Sequence, residues 1–205
     1  MPRELIKHLK ALAGLTLWGL AMRAFIAVDI DKPEIVSRLR LLEEELQQLK
    51  VKMKLVEPEN FHITLRFLGE IPDFTVSDIR SRVLPSLRFR PFVVKLSGFG
   101  AFPSATNARV LWVGISEGFD QLKSIRDQLD SLLRQAGIRF EEEEFSPHIT
   151  LARLKERGGA AVAKFIMDHS SYEIGEMIVN SVRLKKSTLT PRGPIYETIA
   201  EARVE

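Results

Sequence analysis

Two stretches of this chain read almost alike: NFHITLRFLG at residues 60–69 and SPHITLAR at residues 146–153. The sequence has four histidines, and two of them, His62 and His148, stand in the same tetrapeptide, His-Ile-Thr-Leu. Both stretches are apolar and β-branched, so they read as strands, where alternate side chains share a face. His62 and Thr64 then project from one face while Ile63 and Leu65 anchor the other. His148 and Thr150 stand against Ile149 and Leu151 in the same way. Each motif is a polar pair on a strand with an apolar back.

The flanking pattern repeats with the motif. RAFIAVDI (residues 23–30) reads as a central strand. Pro33 marks a helix start, with Ile35, Leu39, Leu42, Leu46 and Leu49 at helical spacing. A short strand, KMKLV, and a turn, EPEN, lead into the first motif, which Gly69 ends. A helix over residues 75–87 and strands over 90–100 and 108–115 follow. The order then restarts. Residues 118–137 carry Leu122, Ile125, Leu129, Leu132 and Leu133 at helical spacing and stop at Gly137. Residues 138–154 return to a strand bearing the second motif, with Glu141–Glu144 as its solvated end. A helix over 160–168 and strands over 177–188 and 195–203 finish the chain. A strand, a helix and a His-bearing strand thus occur twice. The expectation is an α+β fold of two pseudo-symmetric lobes, each a mixed or antiparallel sheet flanked by helices, around a central cleft.

No low-complexity linker parts the halves, so residues 22–205 are expected to form a single bilobal domain. Residues 1–21 have basic residues before an apolar run too short to span a membrane. Met22 opens a complete strand-first domain, which makes 1–21 an extension outside the core; a docked amphipathic helix and a cleaved signal are the other readings. The 205 residues are 45% apolar and 28% charged, ordinary for a globular chain. A net charge of +3 and a pI near 9.2 permit a phosphate or nucleic-acid ligand without demonstrating one. The absence of cysteine excludes disulfides, thiolate metal sites and a cysteine nucleophile, and is compatible with a cytoplasmic, monomeric protein.

Histidine is the side chain whose ordinary pKa lies nearest neutrality, and a hydroxyl two residues along can donate to an anion. Two such pairs facing each other suit phosphodiester cleavage: one base for water, one acid for the leaving alkoxide, and donors for the phosphoryl oxygens. A lone strand histidine is more often structural, but two identical tetrapeptides in matching half-repeats weaken that reading. Metal binding lacks its companions: there is no cysteine, no His-Glu-x-x-His and no third histidine near either motif, so neither metal nor cofactor is expected.

Together with MRAFIAVDI, ARVLWVGI and STLTPRGPIYETIAEARV, the two motifs resemble the two-histidine (2H) phosphoesterase superfamily, and within it the RNA 2',3'-cyclic phosphodiesterases, also called 2'-5' RNA ligases. The likeness runs from Met22 to Val204 and is consistent with an archaeal source. It implies metal-independent hydrolysis of an RNA 2',3'-cyclic phosphate end to a 2'-phosphomonoester, tRNA fragments being one substrate source. It further implies His62 as general acid toward the 3' oxygen, His148 as general base on water, and Thr64 and Thr150 on the non-bridging oxygens. A 5'-hydroxyl RNA in place of water would give 2'-5' ligation as a side activity. The family's arginine five residues after the second histidine falls on Arg153. Strict alternation puts Arg153 on the face opposite His148 unless the strand bulges near Ala152, and puts Arg66 on the His62 face as a rival phosphate contact. Phe67 is expected in the core. Arg80, Arg82, Arg88, Arg90, Lys185, Lys186 and Arg192 are candidates to line an RNA groove. Tyr196 stands open between site and packing, and His8 and His169 read as surface residues. Two alternatives remain: the same chemistry on a small cyclic nucleotide or a 2'-5' oligonucleotide, and a non-catalytic RNA-binding module. Intact histidines and threonines in both motifs weigh against the second.

Overall fold

A computed structural model describes residues 21–191 and 193–204. Readings that concern residues 1–20, His8 and Arg192 lie outside the described residues. In chain order the elements are β1 (Met22–Asp29), α1 (Pro33–Gln48), β2 (Met53–Leu55), β3 (His62–Ile71), α2 (Asp73–Asp78), β4 (Phe92–Phe102), β5 (Val110–Glu117), α3 (Phe119–Gln135), β6 (His148–Leu154), α4 (Gly159–Asp168), β7 (Glu173–Val179), β8 (Ser181–Thr190) and β9 (Gly193–Arg203). α1 starts at Pro33 and buries Ile35, Leu39, Leu42 and Leu46; α3 buries Leu122, Ile125, Leu129 and Leu133. Gly137, with φ at 73°, turns the chain after α3 as only glycine does without strain.

The strands form one sheet in the order β7-β4-β5-β6-β3-β1-β8-β9, with β2 added to β6. Every pairing is antiparallel, so the mixed or antiparallel expectation resolves to antiparallel. The β1-α1-β3 unit is matched by β5-α3-β6, and the halves meet where β3 pairs with β6 at Ile63 and Ile149. The expected strand over 177–188 is two strands parted at Asn180. This break shapes the molecule. β7 and β8 are separated in the sheet by five strands, a flat distance of about 29 Å. Yet a single residue joins them, spanning about 7 Å at most. The sheet must therefore curl until its β7 edge reaches β8.

The helix expected over 75–87 is also different: α2 ends at Asp78 and the chain continues through a wider turn at Ile79–Val83 and a tight one at Leu84–Ser86. Pro85 explains this, since it has no N–H for the Ser81 carbonyl and its ring crowds that carbonyl. Residues 138–147 form no strand, and β6 starts only at His148. Among the described residues no helix is long and apolar enough to cross a membrane.

Glu43 sits on the buried face of α1, and its Oε1 has no hydrogen-bond partner. Burial pushes its carboxyl up from 4.5 to about 8; the Val56 amide offsets part of this and Glu57 adds to it. The unfolded chain loses this proton near pH 4.5 and the native chain keeps it to about pH 8, so native stability falls as pH rises through that window. Glu43→Gln is expected to leave Tm nearly unchanged at pH 4. At pH 9 it should raise Tm by several degrees, at about 2–4 °C per kcal/mol for a chain of this size. Thermal unfolding at both pH values checks this, and equal shifts at the two would place the effect elsewhere.

Candidate active site

Each motif begins its strand at the histidine. His62 opens β3 and its Nδ1 lies 2.6 Å from the Asn60 carbonyl; His148 opens β6 and its Nδ1 lies 2.7 Å from the Ser146 carbonyl. A carbonyl only accepts, so each Nδ1 carries the proton and each Nε2 is left bare in the neutral ring. Ile63 and Ile149 pair directly and are fully buried, which clamps both strands from behind. Aromatic rings fix the imidazoles from the sides. His62 lies 4.9 Å from Phe25 and edge-on to Tyr196 at 5.3 Å; His148 lies 4.9 Å from Phe102 and 6.1 Å from Trp112. The Trp112 ring rests on Gly100, where an added Cβ would come within 2.4 Å of it, so a side chain there would unseat the ring.

Directly paired residues of neighbouring strands share a face. On β5 and β6 the pairs are Gly114 with His148, Trp112 with Thr150 and Val110 with Arg153. Leu151 is the extra residue of a bulge, so Leu151 and Ala152 are both buried and Arg153 emerges on the His148 face. On β1 and β3 the pairs are Asp29 with His62, Ala27 with Thr64 and Phe25 with Phe67, and Leu65 is the extra residue. The expectation for Arg66 and Phe67 is therefore reversed. Arg66 turns into the core at 1% exposure, and Phe67 lies on the His62 face, half exposed, 6.0 Å from Phe25. Strict alternation failed because a bulge on each strand shifts the pattern by one.

Arg66 is structural. Its Nε donates to Asp130 Oδ1 at 2.8 Å, its Nη2 pairs with Asp130 Oδ2, and its Nη1 donates to the Glu141 carbonyl at 2.9 Å. Arg126 donates to the Glu143 carbonyl at 2.7 Å. Thus the four-glutamate run is not a free strand end. Two arginines hold its backbone, and the segment leads straight to His148. Of the other basic candidates, Lys185 is buried against Asp29, Lys186 pairs with Glu197, and Arg82 pairs with Asp78. Arg88 caps the carbonyls of Pro85 and Leu87. Each of these four has a partner of its own within the protein. His169 is half-buried rather than free at the surface, stacked on Phe165 and bonded to Glu45. Lys54, beside Arg153 on the neighbouring β2, and Asp29 were not singled out by any motif.

The pKa of each histidine is lowered, first by burial, with the bonded carbonyl offsetting part of it. Asp29 raises His62 while Lys185 and His148 lower it; Arg153 lowers His148 while Glu143 raises it. Arg153 also lowers Tyr196, whose phenol is raised overall by burial. One guanidinium thus acts on a ring from each lobe. Two imidazoles, two hydroxyls and a cation on one concave face can bind an oxyanion and move protons on either side of it. Among the described residues no three His, Cys, Asp or Glu side chains gather closely enough to hold a metal ion.

Such an arrangement on a duplicated antiparallel sheet defines a two-histidine phosphoesterase. The family model described as LigT like Phosphoesterase matches the chain twice, at residues 28–112 and 113–196, and the chain belongs to that family. The match falls once on each half-repeat. The chain is 44% identical over 170 residues to the RNA 2',3'-cyclic phosphodiesterase of Aeropyrum pernix, covering 82% of this chain and 96% of that protein. It is 39% identical over 178 residues to the enzyme of the same name from Archaeoglobus fulgidus, covering 87% and 98%. The crystal structure of TT0787 of Thermus thermophilus superposes with a TM-score of 0.72 at 29% identity, covering 89% of this chain and 97% of that one. E. coli LigT complexed with 3'-AMP has the same TM-score at 21% identity, over 91% and 99%, a likeness of fold.

Breaking the buried Arg66–Asp130 pair from one side strands a buried cation. Asp130→Ala is expected to cost about 3–5 kcal/mol and to expose residues 138–147 to proteolysis. Urea unfolding and limited digestion measure both; unchanged stability would mean that the pair does not hold the segment.

Proposed function

We propose that the protein hydrolyses 2',3'-cyclic phosphate ends of RNA to 2'-phosphomonoesters, with His62 as general acid and His148 as general base. The observation that carries this reading is the matched pair of histidines, each with Nδ1 bonded to the carbonyl two residues upstream and each with a threonine beside it on the same face. The relatives' shared name supports the substrate class. Water attacks phosphorus while His148 Nε2 takes its proton. The P–O3' bond breaks, and the departing 3' oxygen takes a proton from His62 Nε2. Solvent then restores both histidines. Thr64, Thr150 and Arg153 hold the non-bridging oxygens, Arg153 serving as the phosphate contact in place of the buried Arg66. An RNA 5'-hydroxyl in place of water makes a 2'-5' linkage by the same proton transfers, a minor outcome because water is abundant. Residues 22–205 act as one bilobal monomer in the cytoplasm, on RNA ends that include tRNA fragments.

An RNA oligonucleotide ending in a 2',3'-cyclic phosphate, incubated with the protein and excess chelator, tests the reaction. The expected product is a 2'-phosphate resistant to a 3'-specific phosphatase. A 3'-phosphate would keep the two-histidine chemistry but reverse the orientation of the substrate between the lobes, and no product would favour a small cyclic nucleotide or a binding function. His62→Ala and His148→Ala are each expected to lower kcat/KM by about 10²–10⁴ while leaving RNA binding in place. Wild-type turnover in either variant would sink the acid–base assignment.

The pH profile follows from burial. Both rings titrate below their ordinary 6.5 in the free protein, so the bell of kcat/KM against pH should peak on the acid side of that value. Steady-state kinetics across pH 4–9 would reveal a peak above neutrality if other groups carry the protons.

A further inference from the structure

The two half-sites are alike in motif, carbonyl bond and bulge, yet among the register positions at which they differ is the one paired with the histidine itself. The residue paired with His62 across β1 and β3 is Asp29; the residue paired with His148 across β5 and β6 is Gly114. Paired side chains in neighbouring strands stand about 5 Å apart on one face. Asp29 is gripped there from β8, with Lys185 Nζ 2.8 Å and 2.7 Å from its two oxygens and Arg183 Nη1 2.8 Å from Oδ2. Arg183 is in turn shared with Glu201 at 3.2 Å and Asp31 at 3.4 Å, while Lys185 is buried. Across the junction nothing comparable stands. A Cβ on Gly114 would lie 3.0 Å from the Ser97 carbonyl oxygen and 3.3 Å from the Trp112 ring, so a side chain there would be crowded.

We propose that Asp29, held by Lys185 and Arg183, is the positioning residue that assigns the acid's role to His62 and leaves the base's role to His148. The proposal rests on the two-histidine reading above and adds what divides the labour. An anion beside an imidazole favours its protonated form, and a cation disfavours it. The charged and titratable groups acting on His62 are Asp29 on β1, Lys185 on β8 and His148 on β6, with Tyr196 of β9 against its ring. Those acting on His148 are Arg153 on its own strand and Glu143 in the preceding segment. Glu143 is half exposed and its carboxylate is shared with Arg66, so solvent and that guanidinium screen it. Asp29 is nearly buried, so solvent screens it less, while Lys185 and Arg183 offset part of its charge. Asp29 therefore favours a proton on His62, whose role is to give one, against the burial that lowers that ring, and His148, whose role is to take one, has no strand-paired carboxylate. Two identical motifs become an acid and a base through one carboxylate.

The test is the titration of the two imidazoles followed by NMR in the free full-length protein, assigned with His62→Gln and His148→Gln, together with the kcat/KM pH profile on a cyclic-phosphate RNA end. Asp29→Asn is expected to move the His62 titration to lower pH and leave His148 in place. The alkaline limb should move with it, with a loss of about tenfold or more in kcat/KM at neutral pH. Lys185→Gln, which keeps the Asp29–Arg183 pair, is expected to move His62 in the opposite direction. A merely structural pair would not shift one ring in opposite senses. If Asp29→Asn unfolds, Asp29→Ser takes its place, and the same downward shift of His62 alone decides. An unmoved His62 in the variants that fold, or a His148 that moves equally, overturns the proposal. That failure is distinct from failure of the functional reading, which would show as turnover surviving in His62→Ala.

Discussion

The pairing of Ile63 with Ile149 is the constraint from which the site follows. Both side chains are fully buried, and their strands touch at this one register position before diverging into separate lobes. Because faces alternate, burying these two isoleucines side by side on one face obliges His62, Thr64, His148 and Thr150 to leave from the other. The single-residue link at Asn180 then curls the sheet, making that other side concave. A flat sheet of the same order would present the same residues on an open surface, where water screens charge and a small anion gains little.

Bulges make the second adjustment. On β3 and on β6 the residue after Thr-Leu would, under plain alternation, share the histidine's face; the extra leucine on each strand passes that face to the next residue. The two lobes use the displaced positions differently. In the second lobe the core position is Ala152 and the outward one is Arg153, a cation for the cleft. In the first lobe the core position is Arg66 and the outward one is Phe67. Arg66 reaches across to Asp130 and to the backbone before His148, so a strand of one lobe steadies the approach to the other lobe's motif. A buried arginine is costly unless fully bonded, and this one is bonded through Nε, Nη1 and Nη2.

Much of this was legible in the chain. The repeated strand–helix–strand order, the apolar faces of α1 and α3, and the shared face of each His–Thr pair follow from periodicity alone. What was not legible has definite causes. A bulge inserts one residue without any sequence mark, since Leu65 and Leu151 are ordinary strand residues, and so Arg66 and Phe67 exchanged places with expectation. Asn180 parts two strands with neither glycine nor proline beside it. The side chains of Glu141–Glu144 are solvated as expected, but the hold on their backbone was not legible because the arginines that provide it lie on β3 and α3. Asp29 hides at the end of an apolar strand, where a single carboxylate carries no motif.

Duplication explains why the asymmetry matters. Two copies of one half-site would give two histidines of equal basicity, and a pair that share one pKa cannot hold one proton on the donor and none on the acceptor more than part of the time. Burial lowers both rings here, which suits a base and handicaps an acid. The remedy must therefore be local and one-sided, and a strand-paired carboxylate is local in that sense: it acts on the ring across from it and fades toward the ring in the other lobe. A bound phosphodiester adds its own negative charge between the two imidazoles, raising both together. It can load the acid with a proton, but a charge that raises both rings together does not by itself set them apart. In the proposed assignment the choice between them falls to the register position held by Asp29 in one lobe and Gly114 in the other.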